Sequence, residues 1–106
     1  MIYAIDIDGT ICTPSEGDYI NSRPLKERIK KINSLYDEGH KIIYFTARGM
    51  GRSNNNRDAA YAVFYNFTFN QLKEWGVKFH ELRLGKMEAD YFIDDKGVNA
   101  NDYFSK

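Results

Sequence analysis

Ile2-Tyr3-Ala4-Ile5-Asp6-Ile7-Asp8-Gly9-Thr10 is the stretch on which the fold turns. The nearly unbroken apolar run over residues 2–7 reads as a buried parallel strand, which needs apolar side chains on both faces. Asp6 and Asp8 stand at its carboxyl end. In extended backbone they point the same way, ~6–7 Å apart at about 3.3 Å per residue. Two carboxylates side by side repel, so a fold keeps them only with a positive group between them or with one of them protonated. A hard divalent cation such as Mg2+ meets that need, because it takes few protein carboxylates and leaves places for water and phosphate oxygens. Gly9 lets the backbone turn sharply beside the pair. The alternative is a surface turn, for which Asp-Gly is a common dipeptide.

The rest of the composition narrows the class. At 106 residues the chain makes one domain with room for one core and one cleft. Lys+Arg and Asp+Glu are 15 each, so the zero net charge offers no electrostatic case for nucleic acid or an anionic membrane surface. Cys12, the single cysteine, excludes an internal disulfide and suits a reducing compartment. Two histidines with one cysteine are too few for a structural zinc site. No apolar run approaches the ~20 residues of a membrane helix. Residues 1–15 carry acids where a signal peptide would carry a basic segment and an apolar core. A cytoplasmic protein without membrane contact is therefore expected.

Working outward, residues 11–21 form a loop with Pro14 and Gly17, a short flap over the end of the first strand. Asn21 or Ser22 caps a helix with Pro24 in its first turn. Leu25, Ile29, Ile32, Leu35 and Tyr36 recur at helical spacing opposite a face of lysines, arginine and glutamate, and Gly39 ends that helix. Residues 41–46 read as a second buried strand ending in Thr46, followed by a loop rich in Gly, Asn and Arg. Residues 58–74 read as a second helix, stopped by Gly76. Its aromatics (Tyr61, Phe64, Tyr65, Phe67, Phe69) go most of the way round, which leaves some for a substrate edge or for a second copy of the chain, so a homo-oligomer through this helix is an expectation. Residues 77–82 and 91–93 read as third and fourth strands, and residues 98–104 as a terminal helix. Strands alternating with helices imply parallel strands joined by right-handed crossovers.

In open α/β sheets, ligands sit outside the carboxyl ends of the strands. The first strand delivers Asp6 and Asp8 there, the second Thr46 and then Arg48, and the fourth Asp94 and Asp95. The loop before the fourth offers Lys86. Carboxylates, a hydroxyl and an ammonium group that are far apart in sequence thus meet at one edge by topology.

Asp6-Ile7-Asp8-Gly9-Thr10, Phe45-Thr46-Ala47-Arg48-Gly49, Leu84-Gly85-Lys86 and Tyr91-Phe92-Ile93-Asp94-Asp95-Lys96 resemble, in order, the four motifs of the haloacid dehalogenase superfamily. The final stretch is similar to that of small capless members assigned to capsule biosynthesis. The resemblance implies a single three-layer Rossmann-like domain over residues 1–106, with a mainly parallel sheet. It implies a Mg2+-dependent phosphatase that forms an aspartyl-phosphate on Asp6. Asp8 would be the acid and base, with its main-chain carbonyl on the metal. Thr46 would bond a phosphoryl oxygen, and Lys86 would neutralise charge. Asp6, Asp8, Asp94 and Asp95 would hold the metal, Asp95 through water. Gly9, Thr10, Ala47 and Arg48 beside the motifs are the candidate substrate contacts. The substrate would be a small phosphorylated metabolite such as a sugar phosphate.

A count of charges agrees. The four aspartates bring up to four negative charges, a phosphate monoester about two more, and Lys86 one positive, so phosphate entry calls for a cation. Too few residues separate the elements for a cap domain, which gives an open cleft whose specificity comes from residues 11–21 and 47–57. Three points stay open on sequence. Lys96 rivals Lys86. Arg48, Arg52 and Arg57 with residues 54–56 either grip a second anionic group or form a polar surface loop. A receiver-like phosphoacceptor and a non-catalytic interaction module remain alternatives to the enzyme.

Overall fold

Strand β2 (Lys41–Thr46) is the middle of the sheet. In the computed structural model, which describes residues 1–15, 17–52 and 54–105, it pairs in parallel with β1 (Ile2–Ile5) and β3 (Glu81–Leu84). The register sets Tyr3 beside Ile42, Ile5 beside Tyr44 and Tyr44 beside Leu82. Along all three strands burial alternates residue by residue. Tyr3, Ile5, Ile42, Tyr44, Leu82 and Leu84 face the core, packed against Ile29 and Ile32 of helix α1 (Lys26–Asp37) and Leu72 of helix α2 (Arg57–Glu74).

The other face of the sheet lies open, with Ile2 70% and Phe45 37% exposed. Here the expected three layers are corrected to two. The strand order β1-β2-β3 never reverses, so two crossovers of one hand carry both helices to the same face. Covering the second face needs a switch in strand order, and a fourth strand was expected at residues 91–93. Residues 91–93 do not form it: Tyr91, Phe92 and Ile93 are 84%, 56% and 95% exposed and outside any strand. The chain leaves β3 at Gly85 (φ 97°) and is drawn over the end of β2. The Lys86 N–H donates to the Thr46 carbonyl (3.1 Å), and the Glu88 N–H to the Asn55 side chain (3.1 Å). The chain is thus pinned to the end of β2 at residue 86 and to the loop after β2 at residue 88. Helix α3 (Ala100–Phe104) then packs on α1, where Arg28 donates to Asn101 and Lys31 to the Tyr103 carbonyl.

Smaller differences have local causes. Helix α1 starts at Lys26, without an Asn21 or Ser22 cap, because residues 23–25 are held extended against residues 11–13. Thr13 N–H donates to the Arg23 carbonyl (2.9 Å) and Leu25 N–H to the Ile11 carbonyl (2.8 Å). Strand β3 begins at Glu81, since Val77 closes the end of α2 through the Leu72 carbonyl and Lys78 N–H goes to the Asn33 side chain. Four of the five aromatics of α2 are spent inside the chain. Tyr61, Phe64, Tyr65 and Phe69 pack on the core, and the rings of Tyr61, Tyr65 and Phe69 stack in a row at 5.8 and 6.2 Å. No described helix is long and apolar enough to cross a membrane.

On the open face Glu81 is clasped by Lys41 (2.8 Å) and Arg83 (2.7 Å), and these bonds hold its carboxyl down at about 2. A lowered acid contributes stability above its ordinary value, here 4.5, and loses that contribution as pH falls through the folded value. Glu81→Gln is therefore expected to lower the melting temperature slightly at neutral pH, as for any exposed pair. The gap should close between pH 4.5 and about 2. Melting curves across that range check it, and a gap that widens on acidification would contradict the assignment.

Candidate active site

Past Ile5 the chain stops pairing as a strand and folds into a tight turn. The Ile7 carbonyl accepts from both Thr10 N–H (3.0 Å) and Ile11 N–H (2.9 Å), with Gly9 at φ 79°. The turn leaves Asp6 and Asp8 at the rim of a pocket of about 400 Å³, opposite Thr46 and Ala47 from the end of β2. Ser15, Gly17 and Tyr19 of the flap form one wall, and Gly51, Arg52 and Glu88 another. Lys86 reaches the same end, with Nζ 3.7 Å from Asp6 Oδ2 and 4.7 Å from the centre of the Phe92 ring. Its backbone bond to Thr46 fixes it there, whereas Lys96 pairs with Asp95 (3.2 Å).

Burial pushes the Asp6 carboxyl above the ordinary carboxylate value. The Lys86 ammonium and the Ile7 N–H pull it back in part, and the Asp8 carboxylate adds to the rise. Cys12 is buried, with its thiol pushed up to about 12 by burial and by Asp8, so it is a weak donor to Asp8 Oδ1 (3.5 Å) rather than a nucleophile.

Arg48 turns inward. Its side chain is 0% exposed, and its guanidinium grips Asp8 as a fork, Nε to Oδ2 at 2.9 Å and Nη2 to Oδ1 at 3.0 Å. Nη1 donates to Gln71 Oε1 (2.6 Å) and Thr68 Oγ1 (3.3 Å), and the Tyr19 ring covers the group at 4.7 Å. Gln71 in turn donates to the Tyr19 carbonyl (2.7 Å), and Gly49 N–H to the Tyr19 hydroxyl (3.2 Å). Flap, second loop and α2 are thus tied together through one buried cation. Charge-assisted fork contacts of this kind are the strong ones. Gln71, Thr68, Tyr19 and Glu88 were not singled out on sequence. Thr68 and Gln71, three apart on one helix face among aromatics, were the available signal for a buried polar contact.

Of the residues expected at the site, Asp6, Asp8, Thr46, Ala47 and Arg48 line the pocket and Lys86 touches Asp6. Gly9 and Thr10 shape the turn and do not line it. Asp94 and Asp95 also stand outside it. Asp94 Oδ1 accepts from the N–H groups of Lys96 (2.7 Å) and Gly97 (2.6 Å), which lower its pKa and commit that oxygen to its own turn. Among the described residues no three His, Cys, Asp or Glu side chains come together as a metal cage.

No family model matches the chain, and no curated protein does. The crystal structure of a structural-genomics target from Vibrio cholerae is similar over 99% of this chain and 88% of that one, with a TM-score of 0.90 at 24% sequence identity. At that identity the likeness is one of fold.

Proposed function

We propose that the chain is a phosphomonoester hydrolase of the haloacid dehalogenase type, working through an aspartyl-phosphate on Asp6. The observation that carries the reading is Lys86 Nζ 3.7 Å from Asp6 Oδ2, where Asp6 lines a pocket together with Asp8 and Thr46 at the carboxyl ends of adjacent strands. In the first step an Asp6 oxygen attacks phosphorus and the bond to the leaving oxygen breaks, with Asp8 supplying its proton. In the second, water attacks the phosphoaspartate, Asp8 takes the water's proton, and phosphate leaves. Lys86 offsets charge on Asp6 and the phosphoryl oxygens, Thr46 donates to one of those oxygens, and Arg48 keeps Asp8 in one orientation.

The Asp6 carboxylate in the pocket suits Mg2+, which is content with one or two carboxylates beside water and phosphate oxygens, and by the family resemblance the main-chain carbonyl of Asp8 would join it. When bound it would draw negative charge from the phosphoryl group. Asp94 and Asp95 belong to the proposed metal set through the family motif alone.

Purified protein is expected to release nitrophenol from p-nitrophenyl phosphate with Mg2+ and to fall to background in EDTA. A burst of one product per chain followed by a stable phosphoprotein would favour a phosphoacceptor. Full turnover in EDTA would remove the metal from the scheme.

A further inference from the structure

The flap is closed at its neck and held at its tip by different means. At the neck the Thr13 N–H donates to the Arg23 carbonyl (2.9 Å) and the Arg23 N–H to Thr13 Oγ1 (3.0 Å). At the tip, Tyr19–Asn21 form a short helical turn, and the Tyr19 ring covers the Arg48 guanidinium. Arg52 holds the tip from the surface, by donating to the Gly17 carbonyl. Gln71, buried on α2, holds it from the interior. The orientation of the Gln71 amide is set by its partners. Its oxygen can accept and its nitrogen can donate, so Oε1 faces Arg48 Nη1 (2.6 Å) and Nε2 faces the Tyr19 carbonyl (2.7 Å). The guanidinium nitrogen that Gln71 takes is the one Asp8 leaves, since the two Asp8 oxygens bind Nε and Nη2. A single amide thus stands between the flap and the cation that fixes Asp8.

We infer that Gln71 is a positioning residue for the proposed reaction, one that makes the placing of Asp8 depend on closure of the flap. The inference rests on the phosphatase reading and adds to it a link between shutting the pocket and setting its acid and base. With the flap shut, the Gln71 amide is satisfied at both ends, and the Arg48 guanidinium is held by Asp8, by α2 and under the Tyr19 ring. With the flap lifted, Nε2 loses its carbonyl and the guanidinium loses its cover. An amide held at one end turns freely, and water that reaches the guanidinium competes for the bonds that fix Asp8. Asp8 is therefore set for proton transfer when the pocket is closed over substrate and slack when it is open.

Gln71→Met keeps the length of the side chain and removes both bonds. On p-nitrophenyl phosphate with Mg2+ it should lower kcat roughly tenfold with KM within about twofold, because Asp8 serves proton transfer rather than the holding of phosphate. The Asp18 and Ser22 amides, which bond inside the flap, should exchange with solvent about tenfold faster. Thr68→Val removes a bond to the same cation and none to the flap. It should leave the exchange of Asp18 and Ser22 within about twofold of wild type, which a general loosening of α2 would not. Should Gln71→Met fail to fold, the unaltered protein carries the test. Its Arg48 Nε–H and its Asp18 and Ser22 amides should show protection equal within about threefold, since the opening that frees the flap also uncovers the guanidinium. An Arg48 Nε–H protected about tenfold or more beyond the flap amides would overturn the inference while the phosphatase reading stands. So would a Gln71→Met variant that keeps its kcat, that loses activity through KM alone, or whose flap exchanges as in wild type. Failure of the unaltered protein to hydrolyse p-nitrophenyl phosphate would overturn the reading and the inference with it.

Discussion

Asp6→Asn is expected to cut turnover of p-nitrophenyl phosphate to background and, in the same protein, to raise the melting temperature at neutral pH. The first effect follows from chemistry, since an amide cannot attack phosphorus to make the acyl phosphate. The second follows from burial. The Asp6 carboxyl is raised above its ordinary 3.8, chiefly by removal from water, so the folded state favours the protonated form. A raised acid contributes stability that is whole below its unfolded value and is lost as pH climbs through the folded one. At neutral pH the carboxylate is therefore a net cost even with Lys86 3.7 Å away. Asparagine keeps the shape without the charge. Relieving a functional site of this kind is worth about 1 kcal/mol, or ~5 °C in a domain of this size. The gain should be largest in EDTA near neutrality and vanish below pH 3.8. A variant that melts earlier at neutral pH would show that Asp6 is not strained, and one that keeps its turnover would show that Asp6 is not the nucleophile.

How far the site could be read in advance depended on what carried each part. Asp6, Asp8 and Thr46 were legible because strand ends share an edge in any parallel sheet. Residues 41–46 came out as β2 to the residue. Lys86 was placed at that edge as part of the loop before an expected fourth strand and given its role by the family motif; that strand is absent, and the bond to the Thr46 carbonyl is what holds Lys86 there. The two layers were missed because Lys41-Ile42-Ile43-Tyr44-Phe45-Thr46 reads as apolar throughout, which suits a strand covered on both faces. The telling signal was next door. Glu81-Leu82-Arg83-Leu84 alternates polar and apolar as a half-exposed strand does, and ending the third strand at residue 82 hid it. The triplet at residues 91–93 has the composition of a strand, but an apolar triplet says nothing about whether an edge is within reach. In the structure the Lys86 N–H on the Thr46 carbonyl and the Glu88 N–H on the Asn55 side chain hold the approach to it at the end of β2 and the loop that follows. Arg48 looked like a hand for substrate because the loop around it is polar. Its burial depends on Thr68 and Gln71, twenty and more residues on, and no local pattern connects them.

That burial sets the second large effect. Arg48→Met should destabilise the protein by about 2 kcal/mol, less than the ~3–5 kcal/mol of a fully enclosed pair, because the Asp8 side chain left behind is still 21% exposed. The methionine fills much of the volume, so the loss is one of polar contacts: the Asp8 carboxyl loses its partner, and Gln71 Oε1 and Thr68 Oγ1 lose their donor. Arg48→Lys should rescue little, because one ammonium cannot replace a planar fork that spans both Asp8 oxygens and turns its third nitrogen to α2. Asp8→Asn alone should also be costly, leaving the guanidinium buried against an amide. The double variant Arg48→Met/Asp8→Asn has no stranded charge, so it should be more stable than the sum of the single losses by ~2 kcal/mol or more. Against a total stability of about 5–15 kcal/mol for a domain, the singles are measurable by urea unfolding at low temperature. Additive losses would mean that the two side chains do not share one energy. A loss under about 1 kcal/mol for Arg48→Met, in the range of a solvent-exposed pair, would mean that the cation is not held inside the fold at all. The same pair ties structure to chemistry, because a wall that holds Asp8 in one orientation is what lets a single carboxylate serve both steps of the proposed reaction.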